Sequence, residues 1–203
     1  MLTRSERSLL KLTSQCRVIP VVENRTQFAQ VLETTCVGAI LLRHCNLFDL
    51  VTLLERAYRY GYMMYASMDH IDGIHADHAG LRYIAQRLHI TGIVSNHPKI
   101  LSIGKTFGLE TIQRVFAVDS TGLENALESV DTQQVDILDI SPALVIPSIL
   151  PLLSTMLPLP FMGSGLISTS ERVQAVLRAG ALGVTVTRPE LWICSFSGAA
   201  SMS

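Results

Sequence analysis

Two kinds of segment alternate along the chain: short, largely apolar runs, and longer stretches in which apolar residues recur every three or four positions. The runs are 16–22 (CRVIPVV), 37–44 (VGAILLRH), 62–69 (YMMYASMD), 91–96 (TGIVSN), a strand within 111–120 (TIQRVFAVDS), 135–140, 159–165 (LPFMGSG) and 183–187 (GVTVT). Between them the spacing predicts helices over 25–33, 47–60, 79–88, 98–108, 121–130, 145–156 and 170–179, with a further helical stretch at 5–11. In 47–60, for example, Leu50, Leu53, Leu54 and Ala57 share one face before Gly61 stops the helix. Strands that are apolar throughout are buried on both faces, as in a parallel sheet covered by helices. Eight of them alternating with helices predict an α/β fold, a compact TIM-type (β/α)8 barrel with parallel strands, because eight is the number that closes a barrel. An open doubly wound sheet is the structural alternative. Residues 1–192 are expected to form a single barrel domain, and 193–203, small, polar and without periodicity, a peripheral tail.

Composition agrees with this picture: 48% of the 203 residues are hydrophobic and 16% charged, as a doubly covered sheet requires. Residues 140–170 contain no charge and are long enough to raise the question of a membrane span. Pro142, Pro147, Pro151, Pro158 and Pro160 instead divide them into a strand end, a short helix and the next strand, and no membrane segment is predicted. Sixteen Lys and Arg against seventeen Asp and Glu leave a net charge of -1, which excludes a global pull toward nucleic acid, so any RNA site must be local. Cys16, Cys36, Cys45 and Cys194 form no CxxC pair and read as reduced thiols of a cytoplasmic protein, with no zinc site expected. The N-terminus lacks the uninterrupted apolar core of a secretory signal.

The most unusual residue is Arg114. Strand alternation puts it on one face with Ile112 and Phe116, where an unpaired charge is costly, so it must meet an anionic ligand or a carboxylate, for which Asp69 and Asp139 are the candidates. Asp119 and Ser120 then read as the N-cap of the helix that follows. A second candidate is the turn GSGLISTS: Gly163, Gly165 and Leu166 lie between a strand and a helix, where free backbone amides favour a phosphate. Thr185, Thr187 and Arg188 at the next strand end are placed to complete such a site. The segment DHIDGIHADH, residues 69–78, invites a metal hypothesis through His75 and His78 with Asp69 or Asp72, but its spacing matches no ligand signature, and a polar loop with solvated histidines is the preferred reading. Arg82 and Arg87 with Lys99 and Lys105 form at most a local basic patch. There is no nucleophile elbow, dinucleotide fingerprint or P-loop, and no lysine at a strand end for a Schiff base.

The segments VIPVV, MDxIDG, GIVSN, TIQRVFAVDS, GSGLI and RPELW, spread from Arg17 to Trp192, together resemble the glycerol-3-phosphate-responsive antiterminator family. The most specific part is Gln113, Arg114, Phe116, Asp119 and Ser120, supported by Asp69, Gly73 and Asp77. The resemblance implies a TIM-type barrel and a cytoplasmic, non-enzymatic regulator that binds glycerol 3-phosphate and leader mRNA, needs no cofactor, and lets transcription run through a terminator ahead of glycerol-utilisation genes. It leaves room for a homo-oligomer. Arg114, Asp69, Gly163, Gly165, Leu166, Thr185 and Thr187 are the effector-binding candidates on this reading, with RNA contacts unassigned. The chain departs from the family pattern at Ser67, Ser141, Ala143, Ser164 and Val186, which bears on the organic part of the effector. The rival reading is a barrel isomerase or lyase acting on a small phosphorylated metabolite, with Asp69 or Asp139 as acid or base.

Overall fold

The computed structural model describes residues 8–12, 17–34, 38–156 and 158–192. Cys16, Cys36, Val37 and Cys194, the start of the expected first helix and the tail 193–203 lie outside the described residues. Among the described residues, eight parallel strands close into a barrel: β1 (Val18–Val22), β2 (Ala39–Leu42), β3 (Met63–Ser67), β4 (Gly92–Ser95), β5 (Glu110–Phe116), β6 (Ile137–Ser141), β7 (Phe161–Gly163) and β8 (Val184–Val186). The neighbour order follows the sequence, and β8 returns to β1 through Val18↔Val184 and Ile19↔Thr185. The helices between them are α1 (Arg25–Leu32), α2 (Leu47–Arg59), α3 (His78–Gln86), α4 (Pro98–Thr106), α5 (Ser120–Glu128), α6 (Ile146–Met156) and α7 (Ser170–Arg178).

Strand alternation builds two apolar layers. Ile19, Val21, Leu41, Tyr65, Val94, Ile112, Ile137 and Met162 point inward and fill the lower barrel. Their neighbours along the strands, among them Val22, Ile40, Leu42, Met64, Ile93, Val115 and Leu138, pack outward against the helices. This double burial is why the strands read as unbroken apolar runs. The segment Leu9–Lys11, a single turn of 3-10 helix, sits under the barrel, where Leu9 joins the inner cluster and its amide donates to Glu110 Oε2 at 3.2 Å. Ser8 Oγ and Tyr65 Oη donate to the same carboxylate.

Several expected boundaries shift for physical reasons. Pro20 lies mid-strand in β1, paired with Val186 at the end of the ladder to β8, one residue before the ladder to β2 begins at Val21↔Leu41. The seventh strand ends at Gly163, because Gly165 and Leu166 turn with φ of 77° and 56°. Two short segments, Cys45–Asn46 and Ile71–Asp72, form an unforeseen parallel ladder that joins the loops after β2 and β3 above the barrel. No helix among the described residues is long and apolar enough to cross a membrane.

Candidate functional site at the barrel mouth

The carboxyl ends of the strands open onto a cavity of about 360 Å3. Val21 and Leu41, the last inward apolar residues of β1 and β2, are part of its lining. Above them the walls become polar. Arg114 comes from β5, Ser141 from β6, Ser164 from the exit of β7, and Thr185 and Thr187 from β8 and its exit. Arg43 and His70 close the side formed by the loops after β2 and β3.

Alternation carries Arg114 inward two residues above Ile112, and there its Nε donates to Asp139 Oδ2 at 2.8 Å. Asp139 is fully buried and its other oxygen, Oδ1, has no partner. The Nη groups of Arg114 have no protein acceptor among the described residues, so the guanidinium is anchored through Nε while its fork lines the cavity. Arg43 is held similarly, its Nε and Nη2 donating to Glu23 Oε1 at 2.8 and 2.6 Å. Ser67 Oγ and His70 Nδ1 lie 3.0 Å apart, and the imidazole meets the ring of His44 edge-on at 4.7 Å. Burial, the neighbouring His44 and the two arginines lower the pKa of His70 against an opposing pull from Asp69, which favours a neutral ring at pH 7.

Across the cavity the chain turns through Ser164, Gly165 and Leu166. Ser164 N donates to Ile140 O at 3.0 Å and its carbonyl accepts from Ala143 N at 2.6 Å, which pins the loop to the end of β6. The amides of Gly165, Leu166 and Ile167 donate to no backbone carbonyl among the described residues. Leu166, in the left-handed region and 69% exposed, is an expensive choice of residue for such a turn. Ser164 Oγ is buried on the cavity wall without a partner. A turn of free amides beside an unpartnered hydroxyl and two threonines is suited to an anion's oxygens.

The structure therefore brings together Arg114, Gly165, Leu166, Thr185 and Thr187, five of the seven residues singled out from sequence. Gly163 is not on the lining: a Cβ there would meet Ala143, Ile146 and Val176 at 2.8 to 2.9 Å, so this glycine lets helices approach the outside of the barrel. Asp69 is not on it either, since its carboxylate accepts from Ser95 Oγ at 2.6 Å and Asn96 N at 3.1 Å and so ties the loop after β3 to the loop after β4. Arg188 reaches Glu190 instead of the cavity. In the histidine-rich segment, Asp77 caps α3 and His78 packs edge-on against Phe107, and no three His, Cys, Asp or Glu side chains among the described residues are grouped to share an ion. Arg43, His70, Ser141 and Ser164 are lining residues that sequence reasoning did not assign. For Arg43 the signal was present, because it follows Ala39 and Leu41 on the inward face of β2.

Residues 18–192 match the family described as glycerol-3-phosphate responsive antiterminator. The chain belongs to that family. Solved structures share its fold. The glycerol uptake operon antiterminator regulatory protein from Listeria monocytogenes superposes with a TM-score of 0.81 at 23% identity over 90% of this chain and 97% of its own. A glycerol uptake operon antiterminator-related protein from Thermotoga maritima gives 0.76 at 19% identity, covering 87% and 98%. An N-acetylmannosamine-6-phosphate 2-epimerase from Clostridium perfringens gives 0.64 at 13% identity, covering 90% and 91%. A comparison with curated proteins returns no match. The family is regulatory, and the TIM-type barrel is common to it and to enzymes, so the fold by itself does not choose between them.

Proposed function

We propose that this family member is an antitermination regulator that takes glycerol 3-phosphate into the barrel mouth and acts on leader mRNA in the cytoplasm. The observation that carries the reading is the arrangement of free donors around one cavity: the amides of Gly165, Leu166 and Ile167 and the hydroxyl of Ser164 on one wall, the Arg114 fork on another. A phosphate monoester presents the oxygens these groups lack, and charge-assisted bonds to a guanidinium are about twice as strong as neutral ones. A cavity of about 360 Å3 lies at the small end of ligand sites and admits a three-carbon ester. Val21 and Leu41 in the lining offer apolar surface to the carbon chain of such an ester.

Binding is favoured over turnover by what the lining contains. It holds one group able to move a proton, His70, which lies 3.0 Å from Ser67 Oγ, and no carboxylate, lysine or cysteine; of the two nearby carboxylates, Asp139 meets Arg114 through one oxygen and Asp69 is tied to Ser95 and Asn96. Transcription in vitro through a terminator preceded by the leader of a glycerol-utilisation operon tests the function. Readthrough is expected to rise only when protein and glycerol 3-phosphate are both present. Readthrough unchanged by the pair, or turnover of the ester by the protein, contradicts it.

A further inference from the structure

Among the described residues several cations meet no carboxylate, and four of them are grouped away from the cavity. Arg25, Arg43, Lys105, Arg114 and Arg188 each meet a carboxylate. Arg56, Arg59, Arg82 and Arg87 meet none among the described residues, and all four are exposed. Arg56, Arg59 and Arg82 belong to α2 and α3 and Arg87 caps the end of α3; the two helices end side by side at the amino-terminal face of the barrel, where Tyr58 Oη donates to Leu88 O at 2.6 Å. Past its first turn α2 carries one carboxylate, Glu55, and α3 carries none. Two aromatic rings lie among these guanidiniums, Tyr60 at 58% and Tyr83 at 40% exposure. Tyr60 is stacked on Tyr62 with centroids 5.9 Å apart and planes within 8°, which fixes its ring and leaves the opposite face open.

Building on the RNA reading proposed above, we infer that the ends of α2 and α3 form the RNA-contacting face and take a single-stranded segment. Guanidiniums that meet no carboxylate are free to take phosphate oxygens, although that of Arg56 also lies 5.8 Å over the Phe28 ring, and a held tyrosine ring is a platform for an unstacked base. A single strand suits the patch better than a duplex, whose stacked bases cannot reach the tyrosines. With a net charge of -1, the protein has to gather its phosphate contacts in a local cluster of this kind. An acidic protein partner would use the arginines but would gain no base stacking from Tyr60.

The test uses the full chain and the RNA that the wild-type protein selects from a random-sequence pool in the presence of glycerol 3-phosphate. Arg59→Ala/Arg87→Ala is expected to weaken binding of that RNA by about tenfold or more, and to flatten the slope of log K against log salt by about 1.4, or about 0.7 per arginine. Tyr60→Ala is expected to weaken it by about tenfold with the slope unchanged. Arg178→Ala on α7 serves as control and should leave both quantities alone. These side chains are exposed, so the variants should melt as the wild type does. Selected RNA bound equally by wild type and the double variant overturns the assignment of the surface, leaves the RNA reading standing, and gives the patch to an acidic protein. A wild-type protein that selects no RNA, with or without the ester, overturns the RNA reading and this inference with it.

Discussion

Replacing Arg114 separates its two roles, because Asp139 behind it is fully buried while the guanidinium fork lines the cavity. Arg114→Met keeps the bulk and removes the cation. Asp139 Oδ2 then loses its donor, and Oδ1 has none to begin with, so a buried carboxylate is left bare at a cost of about 3–5 kcal/mol. For a barrel of this size that is a drop of roughly 10 °C in Tm. Adding Asp139→Leu removes the bare charge altogether and should return stability to within about 2 kcal/mol of wild type, as apolar replacements of buried pairs do. Calorimetric melts of the wild type, both single variants and the double variant measure the coupling. A ligand-free Arg114→Met protein that melts like wild type at pH 8 refutes the stability argument. Both variants that lack Arg114 should also bind glycerol 3-phosphate more weakly by about 1.5–3 kcal/mol, and unchanged binding removes Arg114 from the site.

Other expectations follow from single contacts. Gly165→Ala should cost about 1 kcal/mol in denaturant melts and weaken ester binding, because φ is 77° and the added Cβ meets Ser141 Oγ at 2.9 Å; an unaffected variant means the turn can relax freely. His70 should make the wild type lose stability as pH falls below its unfolded value of about 6.5, since the folded ring takes the proton less readily; His70→Gln should lose less between pH 7 and 5, and parallel curves contradict the assignment. Tyr65→Phe removes a donor from Glu110 under the barrel and should lower stability by about 1–2 kcal/mol without changing ester affinity, which checks that the lower barrel is structural.

The sequence revealed the barrel because each strand is buried on both sides, so its apolar run survives whatever the loops do. It also exposed Arg114, since a charge in register with Ile112 and Phe116 breaks that rule. Strand β7 was harder: only three residues pair, and the glycines that continue the run serve different ends, Gly163 helix packing and Gly165 the turn. The ladder of Cys45–Asn46 with Ile71–Asp72 has two residues per strand, too few for any periodicity, and it is tertiary in origin. Arg43 was legible by the same alternation that gave Arg114. His70 and Asp69 are adjacent yet diverge, one to the cavity and one to Ser95, because Met68–His70 forms a single 3-10 turn that strand alternation does not anticipate. Ser164 stands out in sequence only as a departure from the family pattern, and its missing hydrogen-bond partner appears only in three dimensions.

The central claim is that the barrel mouth holds a phosphate ester through the Gly165 turn and Arg114. Isothermal titration of the full chain with glycerol 3-phosphate, and separately with glycerol, tests it most directly. The account predicts one ester bound per chain and no heat of binding from glycerol, with a stabilisation of about 2.7 kcal/mol in a parallel melt at a hundred times the dissociation constant. Equal binding of the two compounds, or no binding of the ester, contradicts it.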